Sequence, residues 1–264
     1  MNYSTIIPKR QSVRKYIDSD LGAKMLAKID EAIAGFAPLR PDIKVKLEVL
    51  PIERMPRYFS RTPSVKAPHY LVISSEDKPL SGENAGFLGQ QAVLLLTSLG
   101  VGTCWLGGLK EREGAFPLPY VITIAMGLPQ GELLRGENDK VHRKALSDIC
   151  LTEPSTPFAS AACEAVRMAP SAINGQPWRL MPQGNTIHLF CETPSVVQTV
   201  NFHGIRFPMP GSMLKANQAI DCGIALAHIS ATAETQGLQV EFTDENITPP
   251  EEKLHYVLSA VVTQ

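Results

Sequence analysis

Apolar residues recur at helical spacing from Leu21 to Ala34, with Leu26, Ile29 and Ile33 on one stripe, and the pattern stops near Gly35. Lys44 to Val49 alternates as a half-buried strand does, and His69 to Ile73 is a short β-rich run. Gly86 to Leu99 is apolar on almost every face, which predicts a buried helix, and Gly100 and Gly102 end it. Tyr120 to Met126 reads as a buried strand closed by Gly127-Leu-Pro129. The charged, glycine-containing stretch Gly131 to His142 then reads as a loop or linker.

The second half repeats that order. Phe158 to Met168 predicts a helix leading into Ala169-Pro170, much as Leu21 to Phe36 leads into Ala37-Pro38. Thr186 to Phe190 is a short strand, Ala216 to Ala233 a long apolar helix, and His255 to Val262 a closing strand. The helix end Thr235-Gln-Gly-Leu238 parallels Ser98-Leu-Gly-Val101. The echo lies in element order more than in residue identity. It predicts an α+β chain of two similar halves, residues 1–150 and 151–264, packed as one intertwined unit.

Composition narrows the function classes. With 264 residues, 44% hydrophobic and 19% charged, the chain can bury a substantial core. A net charge of −1 supplies no basic field for nucleic acid or an anionic membrane. The longest apolar run, Ala92 to Leu96, is far too short to span a bilayer, and Met1-Asn-Tyr-Ser leads into no signal core. Five cysteines in no C-x-x-C spacing predict reduced, mostly buried thiols and a cytoplasmic location. The scattered histidines predict no metal site.

Two distant segments carry the candidate chemistry. Arg10-Gln-Ser-Val-Arg14 sits where Lys9 to Lys15 reads as the basic start of a helix. Guanidinium forks and helix N-terminal N–H groups both suit a phosphate; a solvated basic turn capped by Ser12 is the plainer alternative. Ala169-Pro-Ser-Ala-Ile-Asn-Gly-Gln-Pro-Trp-Arg179 opens the second half. Ser171 and Asn174 are short polar groups able to face a ligand edge, Gly175 allows a close turn, and Trp178 reads as packing.

Together these segments resemble the FMN-dependent nitroreductase family, whose Arg-x-Ser-x-Arg holds the FMN phosphate. Its Pro-Ser-x-x-Asn-x-Gln-Pro-Trp run follows the flavin from the partner subunit. The resemblance implies a nitroreductase-like fold, a central, mostly antiparallel sheet flanked by helices, with FMN at the junction of two pseudo-symmetric halves. It implies cofactor contacts from Arg10, Gln11, Ser12 and Arg14, and from Pro170, Ser171, Ala172, Asn174 and Gln176. Leu106, Gly107 and Gly108, in Gly100-Val-Gly-Thr-Cys-Trp-Leu-Gly-Gly108, match the segment whose backbone passes the ring edge. Cys104 there reads as a core filler. Arg143, with Lys144 second, matches a tail residue that returns to the phosphate, although a charged linker explains it nearly as well. Phe202, Phe207 and Met209 fall where the family builds a lid, and so become candidate substrate-pocket residues.

The displacement of the second motif into another half is informative. Ala37-Pro-Leu-Arg-Pro-Asp42 keeps Ala-Pro but lacks the Ser, Asn, Gln and Trp, and the C-terminal half has no Arg-x-Ser-x-Arg ahead of its first helix. The chain therefore resembles a fused dimer with one surviving site, expected as a monomer or weak dimer. The implied activity is hydride transfer from NADH or NADPH through FMN to a small acceptor such as a nitro compound or quinone. No side-chain acid or base is singled out, because the flavin carries the chemistry. Two other classes stay open: a flavin-binding protein without nicotinamide turnover, and a decayed interaction scaffold.

Overall fold

The computed structural model describes residues 3–202 and 205–263; the side chains of Gln198, Val200, Asn201, Phe202, Ile205 and Phe207 lie outside that description. The chain divides into two compact units, Lys9–Asp139 and the residues up to Pro8 together with those from Lys140 onward. The boundary thus falls about ten residues before the expected one at 150, and segment 140–150 packs within the second unit.

The first unit contains α1 (Ala23–Ala34), β1 (Val45–Pro51), α2 (Met55–Tyr58), β2 (His69–Ser75), α3 (Ser81–Ser98), β3 (Gly102–Leu106) and β4 (Tyr120–Gly127). Its strands form one sheet in the order β1-β2-β4-β3, antiparallel throughout. Every residue of β2 is buried, and α3 buries nearly its whole circumference from Asn84 to Thr97. That burial is why α3 reads as apolar all round and not as an amphipathic stripe.

The second unit contains α4 (Leu146–Ile149), α5 (Pro157–Arg167), β5 (Trp178–Gln183), β6 (Thr186–Glu192), β7 (Val197–Phe202), β8 (Ile205–Pro210), α6 (Gly211–Thr235), β9 (Gln239–Thr243) and β10 (Leu254–Thr263). Four of its strands form an antiparallel sheet in the order β5-β6-β10-β9, while β7 and β8 make a separate hairpin. Pairing by position in the chain, β5, β6, β9 and β10 correspond to β1, β2, β3 and β4, and α6 to α3. The two sheet orders are then the same. The expected antiparallel sheet is therefore built once in each unit.

The helix ends match as well. The N–H of Val101 returns to the carbonyl of Leu96 at 2.9 Å, and that of Leu238 to Ala233 at 2.9 Å. Both turns need a left-handed residue, supplied by Gly100 (φ 82°) and Gly237 (φ 71°). The units differ in their insertions. β1 and β2 are joined through α2, whereas β5 and β6 form a tight hairpin at Gly184, and the β7–β8 hairpin is inserted ahead of α6. Among the described residues no helix is long and apolar enough to cross a membrane.

Candidate functional site

In the first unit, no helix starts over Lys9 to Lys15 as expected; the chain instead makes isolated strand-like bridges at Arg10, Ser12 and Tyr16. Arg10 bridges Leu134, Ser12 bridges Thr103 at the edge of β3, and Tyr16 bridges Pro129. The N–H of Val13 donates to Thr103 O at 2.9 Å, and that of Arg135 to Lys9 O at 2.7 Å. These backbone bonds go sideways to neighbouring segments, so no helical ladder forms and no helix N-terminus points at a bound anion there. The approach is close. A Cβ at Gly102 would lie 2.8 Å from Val13, so only glycine lets residue 13 seat against β3.

Strand-like backbone alternates its faces, which puts Arg10, Ser12 and Arg14 on one side. They converge near Cys104 on β3. Burial pushes the Cys104 thiol up, while Arg14, Arg10 and a hydrogen bond with Ser12 pull it the other way. Arg10 is buried at 3% exposure and Arg14 is exposed, so one fixed positive charge stands behind a reachable one. Gln11 points elsewhere, donating to Glu132 O at 2.8 Å. Cys104 itself belongs to the apolar cluster of Leu50, Phe59, Tyr70 and Leu106, as a core filler does. Leu106 is buried, and the next two residues are exposed. A Cβ at Gly107 or Gly108 would meet nothing within 4 Å, and Gly108 holds φ 80°, so bare backbone faces open space just past β3.

In the second unit, α5 delivers the chain into the Pro170 loop. Five described non-glycine residues have positive φ, and three of them lie here: Ile173 (50°), Asn174 (57°) and Gln176 (48°). Left-handed backbone is costly for such side chains, above all for β-branched Ile173, and persists only where the surroundings over-determine it. Gly175 is not the flexible point expected, since its φ is −67°. The strain sits on its neighbours.

The loop's polar side chains are what hold it. Ser171 Oγ accepts from the Gln176 N–H at 3.0 Å. Asn174 accepts from the Arg143 guanidinium at 2.9 Å and donates to His142 O at 3.0 Å. Arg143 also donates to Met168 O at 3.3 Å, just after α5. Gln176 accepts from the Lys144 N–H at 2.8 Å, and Lys144 Nζ donates to Gln176 O at 3.0 Å. Burial, then the nearby Arg179, holds the Lys144 ammonium below the ordinary lysine range. Arg143 and Lys144 therefore clamp the loop from one side. Trp178 and Pro170 are buried, Trp178 fully, in keeping with packing.

Asp221 was not singled out by sequence. It stands on α6, 4% exposed, and accepts the Ala172 N–H at 2.9 Å. Burial pushes its carboxyl up to about 8, against the lowering effect of that bond. Its sequence signal was available: it is the single acid within the apolar run 216–233. Of the expected pocket residues, Met209 is buried with Leu214 and packs Ile173 of the loop. The side chains of Phe202 and Phe207 lie outside the described residues.

A family model described as "Putative TM nitroreductase" matches residues 2–233. The chain belongs to this nitroreductase family. A solved Thermotoga maritima MSB8 protein, described as a putative nitroreductase, is 21% identical with a TM-score of 0.63, covering 99% of this chain and 94% of its own. That likeness shows the nitroreductase fold over the whole length. A nitroreductase family protein of Clostridium difficile 630 is 20% identical over 59% of this chain and 99% of its own, with a TM-score of 0.48. A nitroreductase with bound FMN from Desulfitobacterium hafniense DCB-2 is 17% identical over 55% of this chain and 100% of its own, with a TM-score of 0.40. No curated protein sequence matches the chain.

Proposed function

We propose that this nitroreductase-family chain is an FMN-dependent oxidoreductase that passes hydride from NADH or NADPH to a small acceptor, a nitroaromatic compound or a quinone. When bound, FMN supplies the hydride chemistry, accepting from the nicotinamide and donating to the acceptor. The residues present fit that group. Arg10 and Arg14 offer charge-assisted bonds to its phosphate, with the Ser12 hydroxyl between them. Bare backbone at Gly107 and Gly108 suits a planar ring edge. The loop from Pro170 to Gln176 offers a stiff wall, held by Arg143, Lys144 and Asp221.

The observation that carries the reading is the strained loop. Three left-handed residues lie within the stretch that matches the family's flavin motif, Asn174 and Gln176 held by hydrogen bonds and Ile173 by packing on Met209 and Leu214. In this reading Ser171 and Asn174 act by shaping the loop, and its exposed backbone meets the flavin. Each motif occurs once in the chain, so the reading further holds that the chain arose by internal duplication and serves one flavin as a monomer.

Anaerobic stopped-flow mixing of the flavin-loaded protein with NADH and with NADPH tests this. Bleaching of the flavin band, followed by reoxidation with a nitroaromatic or quinone, is expected. A bound flavin that neither nucleotide reduces favours the second reading, a flavoprotein without nicotinamide turnover. The packing of Met209 and Leu214 on Ile173 is the observation behind that alternative.

A further inference from the structure

Past the Gly107-Gly108 turn the chain folds back on α2 and frames a cavity of about 350 Å³ lined by Arg57, Tyr58, Arg112 and Glu113. Backbone bonds hold the junction. Ser60 N–H donates to Lys110 O at 2.9 Å and Arg112 N–H to Tyr58 O at 2.8 Å, with Phe59 bridging Glu111 between them. Arg112 Nε adds a bond to Pro56 O at 3.0 Å, which fixes the base of its guanidinium. The Tyr58 ring stacks on Phe116 with centroids 4.9 Å apart, and Phe116 leans on buried Phe59 at 5.6 Å, so the aromatic wall is fixed too.

Among the described residues, neither the Arg57 guanidinium nor the two terminal nitrogens of Arg112 have a hydrogen-bond or ion-pair partner. The Tyr58 hydroxyl accepts from Arg54 at 2.6 Å, which leaves its own O–H to donate. Arg54 and Arg57 stand 5.6 and 6.0 Å from the Tyr58 ring centroid, which gathers positive charge beside the cavity. Glu111 is turned aside to accept the Tyr120 N–H at 2.8 Å. The lining therefore sets two guanidinium groups and a phenol against one carboxylate, that of Glu113.

The structure assigns this cavity as a phosphate-monoester site that takes the 2′-phosphate of NADPH, and so selects NADPH over NADH. The assignment rests on the FMN-dependent reading above, which puts the ring edge at Gly107 and Gly108. Arg112 lies four residues beyond Gly108, at most ~14 Å of extended chain away. A nicotinamide stacked at that edge has the rest of its dinucleotide within reach of the cavity. A monoester concentrates nearly two negative charges and three acceptor oxygens at one point. That suits two guanidinium forks better than the singly charged phosphates of the pyrophosphate bridge do. NADH offers the cavity a neutral ribose hydroxyl instead, a poor match for two arginines. Glu113 accepts the neighbouring 3′-hydroxyl of either nucleotide.

The oxidised nucleotides NADP and NAD differ only by that phosphate and exchange no electrons with oxidised flavin, so their binding is read without turnover. Titration calorimetry on the full chain under saturating FMN should show NADP binding about ten-fold or more tighter than NAD. Arg57→Ala, at an exposed residue, should remove most of that preference and leave NAD binding unchanged, and Arg112→Ala should do the same. Should Arg112→Ala fail to fold for want of its bond to Pro56, Arg57→Ala still decides. Equal affinities in the wild type, a preference that survives in Arg57→Ala, or inorganic phosphate binding as tightly as NADP overturns the assignment. Failure of the flavin reading shows differently: the flavin band then stays unbleached by either reduced nucleotide, whatever the preference for NADP.

Discussion

The Asp221 carboxyl accepts the backbone N–H of Ala172 at 2.9 Å, joining the middle of the most buried helix of its unit to the strained Pro170 loop. Its acid form persists up to about pH 8 because the site is dry. The unfolded chain ionises near pH ~3.9, so between about pH 4 and 8 the folded state holds one more proton. Stability from this group is therefore present at low pH and lost as pH rises. Asp221→Asn, neutral at every pH and still an acceptor for Ala172, should flatten that slope. Relative to the wild type it should gain stability from pH 5 to pH 8, by at most ~4 kcal/mol. Urea midpoints at the two pH values check this, and parallel curves for the two proteins refute it.

A second buried group carries the opposite sign. His188 on β6 shares a 2.7 Å bond with Ser259, which shares another of 2.7 Å with Tyr256 on β10. Burial holds the imidazole below its ordinary range despite Glu245 at 3.8 Å. Stability from neutral His188 is present above the unfolded value near ~6.5 and is lost as pH falls below it. The wild type should lose more stability than His188→Gln between pH 7.5 and 5. Equal losses would mean that the ring protonates as readily in the folded protein as in the unfolded chain.

The phosphate assignment separates FMN from riboflavin. Arg10→Ala and Arg14→Ala should each remove charge-assisted bonds worth ~1.5–3 kcal/mol, about ten- to a hundred-fold in FMN affinity. Riboflavin, lacking the phosphate, should bind almost unchanged. Equal weakening of both ligands, read by fluorescence quenching, would place these arginines in the fold and not on the phosphate. Arg10, being buried, is the one whose variant needs its melting temperature checked first.

The long buried elements were legible because hydrophobic period alone specifies them: α3, α6, β2, β4 and β10 lie where the pattern puts them. Elements specified by a distant partner were not. Nothing within Arg10-Gln-Ser-Val-Arg14 announces strand-like bridges; the backbone of Thr103, ninety residues on, makes the one at Ser12. β3 hides in a glycine-rich run whose glycines serve the approach of Val13 and the open turn at Gly108. The hairpin of β7 and β8 is masked by Pro208 and Pro210, residues that argue against a central strand. The bonds made by the polar groups of the Pro170 loop were not legible in its motif. It cannot show that Asn174 is engaged by Arg143 and His142, or that an acid on α6 holds Ala172.

One flavin per chain is the proposed stoichiometry, and extracted FMN is to be measured against protein mass. The first unit carries Arg10, Ser12, Arg14 and the Gly107-Gly108 backbone, while the only intact Pro-Ser-x-x-Asn loop lies in the second. A dianionic phosphate without such arginines forfeits most of its charge-assisted bonding, so a second equivalent should not be retained. One FMN per chain is expected after saturation and gel filtration, and its loss in both Arg10→Ala and Asn174→Ala. Two per chain, or none under saturating FMN, would contradict it.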